Sequence, residues 1–286
     1  MNIKSELNKK GYCIVPNVLS ESEVKYAYDL FKNWQATIPN HSKIHDKINP
    51  HGIYKYHEAG HTRHAWFIRT RPALQNIFKS IWNCDDLIVS FDGCCYIPKE
   101  LNKIDKCWTH SDQAPNSEGL QCYQAFVSLT TNSERTFVVY EGTHKIHNKY
   151  FKSRNISNTK NWNLIPEEDL NIIAKTKRVL KVTAGSLVIW DSRCFHQNRY
   201  GKPNSEERVV QYVCYLPKNH SKNTDSIATK RRKYYNDRRT TSHWPAPIYV
   251  NPKQPRTFGD KTLEIDYSLL AQPDLGDLNS DIEKLI

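Results

Sequence analysis

The chain has 286 residues, 38% of them hydrophobic, and a formal net charge of +11. Seven Trp, sixteen Tyr and nine Phe exclude a disordered chain, and ten Gly with fourteen Pro exclude a collagenous one. No apolar run approaches the roughly 20 residues of a membrane-spanning helix, and the positive charge favours anionic partners without choosing among them.

In chain order, residues 11–16 (GYCIVP) read as a short strand. Ser20 with Glu23 forms a capping box that opens an amphipathic helix over 21–35. Residues 37–64 are polar, rich in His and broken by Pro39, Pro50, Gly52 and Gly60, and read as a loop. Residues 65–69 read as extended, and 71–82 as a helix with Leu74, Ile77, Phe78 and Ile81 at helical spacing. From residue 87 the pattern turns to strands: 87–91, 94–97, 120–130 and 136–140. Short helices are expected over 144–151 and 166–174, then strands over 178–182, 187–190 and 208–216. The tail from 217 is polar and basic.

Many strands, helices ahead of them and no βαβ period predict a mainly β fold with flanking helices, a barrel or sandwich. One catalytic domain over 1–216, with a basic extension over 217–286 packed on it, is the expected organisation. Eight cysteines (Cys13, Cys84, Cys94, Cys95, Cys107, Cys122, Cys194 and Cys214) include no CxxC pair. No long apolar stretch follows the first lysines as in a secretory signal. Free thiols in a cytoplasmic or other reducing intracellular compartment are the expectation.

His110-Ser111-Asp112 is the first chemical signal. On an extended chain residues i and i+2 share a side, so an imidazole and a carboxylate there face one metal ion. Alone, His-x-Asp carries little information. Downstream, AGSLVIWDSRCFH reads as a turn, a strand and a second histidine, His196, with Arg208 twelve residues further on. Two His and one carboxylate on one face, with open positions, suit non-haem Fe(II). A buried Arg offers a planar fork for a carboxylate.

In these features the sequence resembles the phytanoyl-CoA dioxygenase family of Fe(II)/2-oxoglutarate oxygenases. The matching stretches are GYCIVPNVLSESEV, His110-x-Asp112, QAFVSLTTNSERTFVVYEGTHKIH, AGSLVIWDSRCFH and Arg208, in family order over roughly 8–216. The resemblance implies a double-stranded β-helix, a jelly-roll or cupin-like barrel. It implies Fe(II) on His110, Asp112 and His196, and the distal carboxylate of 2-oxoglutarate on Arg208. It also implies consumption of O2, release of succinate and CO2, and hydroxylation of a substrate C–H. Halogenases of this kind replace the metal Asp by a small residue; Asp112 is present.

The chain departs from the family pattern twice. Asn198 stands where members often carry Ser, and is a candidate co-substrate contact. Tyr96-Ile97-Pro98 lacks the Lys often found before that Pro, so Gln124, on a strand face expected to look inward, is the substitute polar partner. Candidate substrate contacts are Asp92, Arg69, His243 and Trp244. His57-Glu58-Ala59-Gly60-His61 matches HExxH, but that motif needs a helix and the prolines and glycines deny one; a mobile lid over the active site is expected instead. Lys230-Arg231-Arg232-Lys233, with Arg238 and Arg239, supports an alternative: an inactive barrel serving as a basic nucleic-acid-binding module. A small-molecule substrate is favoured over nucleic acid, and the oligomeric state is open.

Overall fold

β-Branched and aromatic runs separated by turns build twelve strands among the described residues, most of them buried on both faces, with Tyr12–Val15, Asn163–Leu164 and Lys177–Val179 partly or fully exposed. The computed structural model describes residues 2–286. Its strands are β1 (Tyr12–Val15), β2 (Leu87–Val89), β3 (Cys94–Ile97), β4 (His110–Ser111), β5 (Tyr123–Ser128) and β6 (Phe137–Tyr140). They continue with β7 (Asn163–Leu164), β8 (Lys177–Val179), β9 (Leu187–Asp191), β10 (His196–Asn198), β11 (Arg208–Val213) and β12 (Tyr215–Pro217). One antiparallel sheet runs β1-β9-β5-β11-β3 and a second runs β7-β4-β10-β6-β8; β12 pairs with β2. The inner faces meet over Phe126, Phe137, Val139, Val188, Trp190 and Val210. These packed antiparallel sheets with flanking helices are the barrel or sandwich that the sequence pattern predicts and the double-stranded β-helix that the family resemblance implies.

The helices are α1 (Ile3–Lys10), α2 (Glu21–Ala36), α3 (His41–Ile48), α4 (Arg63–Arg69), α5 (Pro72–Trp82), α6 (His147–Ser153), α7 (Glu167–Ile172), α8 (Asp225–Asn236) and α9 (Asn279–Leu285). The capping box is present: Ser20 Oγ accepts from Glu23 N at 3.3 Å, and Glu23 Oε2 accepts from Ser20 N at 2.9 Å. Helix α2 lays Ala27, Phe31 and Gln35, four residues apart, into the core.

Three expectations are corrected. Residues 65–69 are not extended but lie in α4, where every side chain from His64 to Arg69 is buried. A helix buried all round has no amphipathic stripe to betray it. The stretch 37–64 is not one loop: it contains α3, whose Ile44, His45 and Ile48 are buried. The HExxH stretch is not a lid either. His57 and Glu58 have φ of 57° and 53°, which breaks any helix, and Ala59, Gly60 and His61 are buried. His61 Nε2 sits 3.1 Å from Arg239 O, and Glu58 takes Arg238 Nε at 2.6 Å.

The polar tail folds onto the barrel. Helix α8 opens on Thr224, whose side chain accepts from Ile227 N. Most of its basic residues are engaged: Arg232 with Glu283, Lys233 with Asp237, and beyond the helix Arg238 with Glu58. Arg231 is buried and donates to three carbonyls: Pro245 O at 2.7 Å, Leu285 O at 2.9 Å and Val89 O at 3.0 Å. Burial pushes its guanidinium down to about 9. It ties α8, α9 and the 245 turn to β2. Arg231→Met, similar in length but without donors, is expected to cost about 3 kcal/mol or more, since each buried carbonyl stripped of its donor costs about 1–3 kcal/mol. That lowers the thermal midpoint by about 6 °C or more in a chain of this size; a midpoint within 2 °C of wild type would refute the clamp.

Candidate metal centre and cavity

The register of the second sheet builds the metal site. His110 on β4 pairs directly with His196 on β10. Directly opposed residues of antiparallel strands carry side chains on one face, about 5 Å apart. The two imidazole centroids lie 4.4 Å apart. Asp112, two residues past His110, falls on the same face. His196 Nε2 is 3.2 Å and His110 Nε2 3.5 Å from Asp112 Oδ2. The three donor atoms lie within 4.8 Å of one another, and all three residues are buried.

Hydrogen bonds prepare each group as a ligand. His110 Nδ1 donates to Trp108 O at 3.0 Å and His196 Nδ1 donates to Cys194 O at 2.9 Å. A carbonyl can only accept, so both rings keep their proton on Nδ1 and turn a bare Nε2 towards Asp112. Burial favours the neutral form of His196, and the neighbouring ring of His110 acts in the same direction. Burial alone would raise Asp112; the neighbouring imidazoles of His110, His243 and His196 outweigh it and hold the carboxyl well below its usual range. An ionised carboxylate with two neutral imidazoles is what a divalent cation needs. This donor set fits Fe(II).

Gln124 was read from the sequence as the co-substrate's polar partner. Its Nε2 instead donates to Asp112 Oδ2 at 3.1 Å, while the residue also lines the cavity. Gln197 was missed. Its Oε1 accepts from Thr109 Oγ1 at 2.6 Å and Trp108 N at 3.2 Å, fastening β4 to β10 beside His196. No sequence signal marks it beyond its place next to the histidine.

Arg208, the first residue of β11, is 1% exposed. Its Nη2 donates to Asn198 Oδ1 at 3.0 Å, and Asn198 Nδ2 donates to Tyr212 OH at 2.8 Å. Arg208 Nε and Nη1 have no partner. The neighbouring acids are spent elsewhere: Glu206 on the backbone N–H groups of 133–135, and Glu207 on Tyr28 and Lys32. A buried guanidinium lacking an anion is costly. The distal carboxylate of 2-oxoglutarate would supply such an anion, so the chemistry of Arg208 and Asn198 fits the co-substrate.

The triad opens into a cavity of about 820 Å³. Asp92, His243 and Trp244 line it; Arg69 does not. Arg69 lies fully buried behind Asp92, donating to Gly60 O and Asp92 O, both at 2.6 Å. The far wall comes from a hairpin-like segment of the tail. Thr241 bridges Asp92, and Thr241 N donates to Phe91 O at 2.9 Å. Burial holds His243 down at about 4, against the pull of Asp112, so a neutral ring faces the cavity.

Among solved structures the fold is similar to the epimerase SnoN in complex with Fe3+, alpha ketoglutarate and nogalamycin RO (TM-score 0.53, 14% identity, 76% of this chain and 82% of that one). It is also similar to HygX from Streptomyces hygroscopicus with nickel and 2-oxoglutarate bound (TM-score 0.52, 12% identity, 74% and 85%). In sequence the chain is 25% identical over 240 residues to Ava biosynthesis cluster protein O of Aspergillus versicolor, covering 75% of this chain and 77% of that protein. The phytanoyl-CoA dioxygenase profile matches residues 7–200, more than half of the chain. With that match over most of the chain, and with His110, Asp112 and His196 gathered inside it, the chain belongs to the phytanoyl-CoA dioxygenase family and is an iron- and 2-oxoglutarate-dependent oxygenase.

Proposed function

We propose that the protein hydroxylates a C–H bond of a small organic molecule held in the 820 Å³ cavity. The observation that carries this reading is the intact carboxylate of Asp112. It is ionised, buried and held by Gln124, which keeps the metal face closed to a halide at that position. Iron and 2-oxoglutarate, when bound, supply the oxidising power for the C–H bond at the expense of O2, with succinate and CO2 released.

The chain's own residues do the rest. His110, Asp112 and His196 hold the metal, with Nδ1–H bonds fixing both rings. Arg208 receives the distal carboxylate of the co-substrate, and Asn198 sets the tilt of the guanidinium. Trp190 and Phe137 line the cavity between them and exclude water. A small substrate is in keeping with relatives crystallised with nogalamycin RO and hygromycin B and with one named for a biosynthesis cluster. The nucleic-acid alternative has little support, because the basic residues of 230–239 are largely taken up by Glu283, Asp237, Glu58 and backbone carbonyls.

The test is turnover under 18O2 against a metabolite library. One labelled oxygen in the product, with succinate in equal amount, is the expected result. A product that gains no oxygen while succinate is released would refute hydroxylation.

A further inference from the structure

Two features of the cavity are left unused by the metal and the co-substrate clamp. The first is Asp92. Apart from the ligand Asp112, it is the one carboxylate among the described residues lining the cavity. Its main chain is pinned: Asp92 O accepts from Arg69 Nη2 at 2.6 Å and Gln211 Nε2 at 3.3 Å, and the residue bridges Thr241. Among the described residues no side chain hydrogen-bonds its carboxylate and no cation pairs with it. Arg69, the nearest candidate, spends its Nη donors on carbonyls. Burial raises the carboxyl to about 7, with the charge of Arg69 working the other way. A cation entering the cavity would hold Asp92 in its ionised form.

The second feature is at the mouth. Trp162 is 51% and Tyr249 48% exposed, and both line the cavity. Trp162 stacks on the ligand His110 at 5.5 Å with 29° between the planes, leaving its remaining surface to a partner. Large aromatic rings left open at a cavity rim mark a surface that a ligand covers. Lys55 and Lys160 are exposed at the same rim. Solvent and salt screen such charges, whereas a carboxylate inside the cavity acts at close to full strength.

We propose that the substrate is a planar aromatic molecule bearing a protonated nitrogen, its ring against Trp162 and Tyr249 and its cation on Asp92. This rests on the oxygenase reading of the same site and names the substrate class. The nitrogen donates a charge-assisted hydrogen bond to the carboxylate, and the rim rings add stacking and cation–π attraction.

Calorimetry tests it anaerobically on protein loaded with Fe(II) and 2-oxoglutarate, with four probes: 2-naphthylmethylamine, 2-naphthylmethanol, 2-naphthoate and cyclohexylmethylamine. The naphthyl amine is expected to bind at least tenfold more tightly than each of the others. Asp92→Asn should bring the amine down to the affinity of the alcohol and leave the alcohol unchanged; Trp162→Ala should weaken both. The visible charge-transfer band of the loaded centre, retained in each variant, verifies an intact fold and centre. With that band present, absence of the amine preference, its survival in Asp92→Asn, or no binding of any probe would overturn the assignment. Loss of the band in wild type counts against the oxygenase reading alone, and titration of metal-free protein then still decides the substrate class.

Discussion

His196→Ala is expected to abolish retention of Fe(II) and with it all succinate formation. His196 supplies one of three donors that lie within 4.8 Å of one another, and the two left behind, His110 and Asp112, are separated by only one residue at the end of β4. A single strand cannot enclose an ion; the second donor direction comes from β10. Loss of an outer hydrogen bond around a metal site costs about 10–100-fold in affinity, so loss of a ligand itself should cost more than about 100-fold. Anaerobic titration of Fe(II) in the presence of 2-oxoglutarate reads this directly, because the chelated complex of the wild type should develop a weak visible charge-transfer band. The variant should show no band at iron concentrations that saturate the wild type, with an unchanged far-ultraviolet circular dichroism spectrum. Iron affinity equal to wild type would place the metal elsewhere.

What the sequence made legible follows from local geometry. His-x-Asp needs nothing but an extended chain to point both groups one way, and the turn–strand–His run of 184–196 announces itself by its apolar core. The pairing of His110 with His196 is different. It depends on a register across strands of two and three residues, too short for any alternation to be read. Gln124 was correctly placed facing inward, yet which acid it serves was hidden, because Asp112 reaches it only through packing of the two sheets. Arg69, a candidate substrate contact, is instead a buried strut between Gly60 and Asp92, a role that only the packing of α4 against the sheet reveals. Helix α8 escaped notice because the residue it buries is a cation, Arg231, which inverts the usual apolar stripe.

The tail illustrates the same limit at a larger scale. The family match ends at residue 200, and by composition the tail from 217 is polar and basic. Nevertheless Thr241, Ser242, His243, Trp244, Tyr249 and Asn251 complete the cavity wall. Their position is set by backbone bonds to Phe91 and by the Arg231 clamp. Part of the cavity wall in this chain therefore comes from outside the stretch that assigns it to its family.

Arg208→Ala is expected to raise the apparent KM for 2-oxoglutarate at least tenfold while leaving the affinity for iron close to wild type. The guanidinium is buried, holds Asn198 with one nitrogen and leaves Nε and Nη1 without partners. A carboxylate that accepts from them makes hydrogen bonds between charged groups, each contributing about 1.5–3 kcal/mol, and even one of these exceeds the 1.4 kcal/mol of a tenfold change. Arg208→Lys should recover part of the loss, since it keeps the charge and loses the planar fork. Stability supplies a second readout with an opposite sign in its two arms. Without co-substrate, removal of an unpaired buried charge should not lower the thermal midpoint. With 2-oxoglutarate at about 100 times its Kd, the wild type should gain about 2.7 kcal/mol, and the variant, at the same concentration, much less. A wild-type KM in Arg208→Ala would pass the clamp to Arg135, another buried guanidinium with unpaired nitrogens. Arg193 and Arg199 are poorer heirs, since Asp191 already occupies the first, and Asp105 and Glu134 the second.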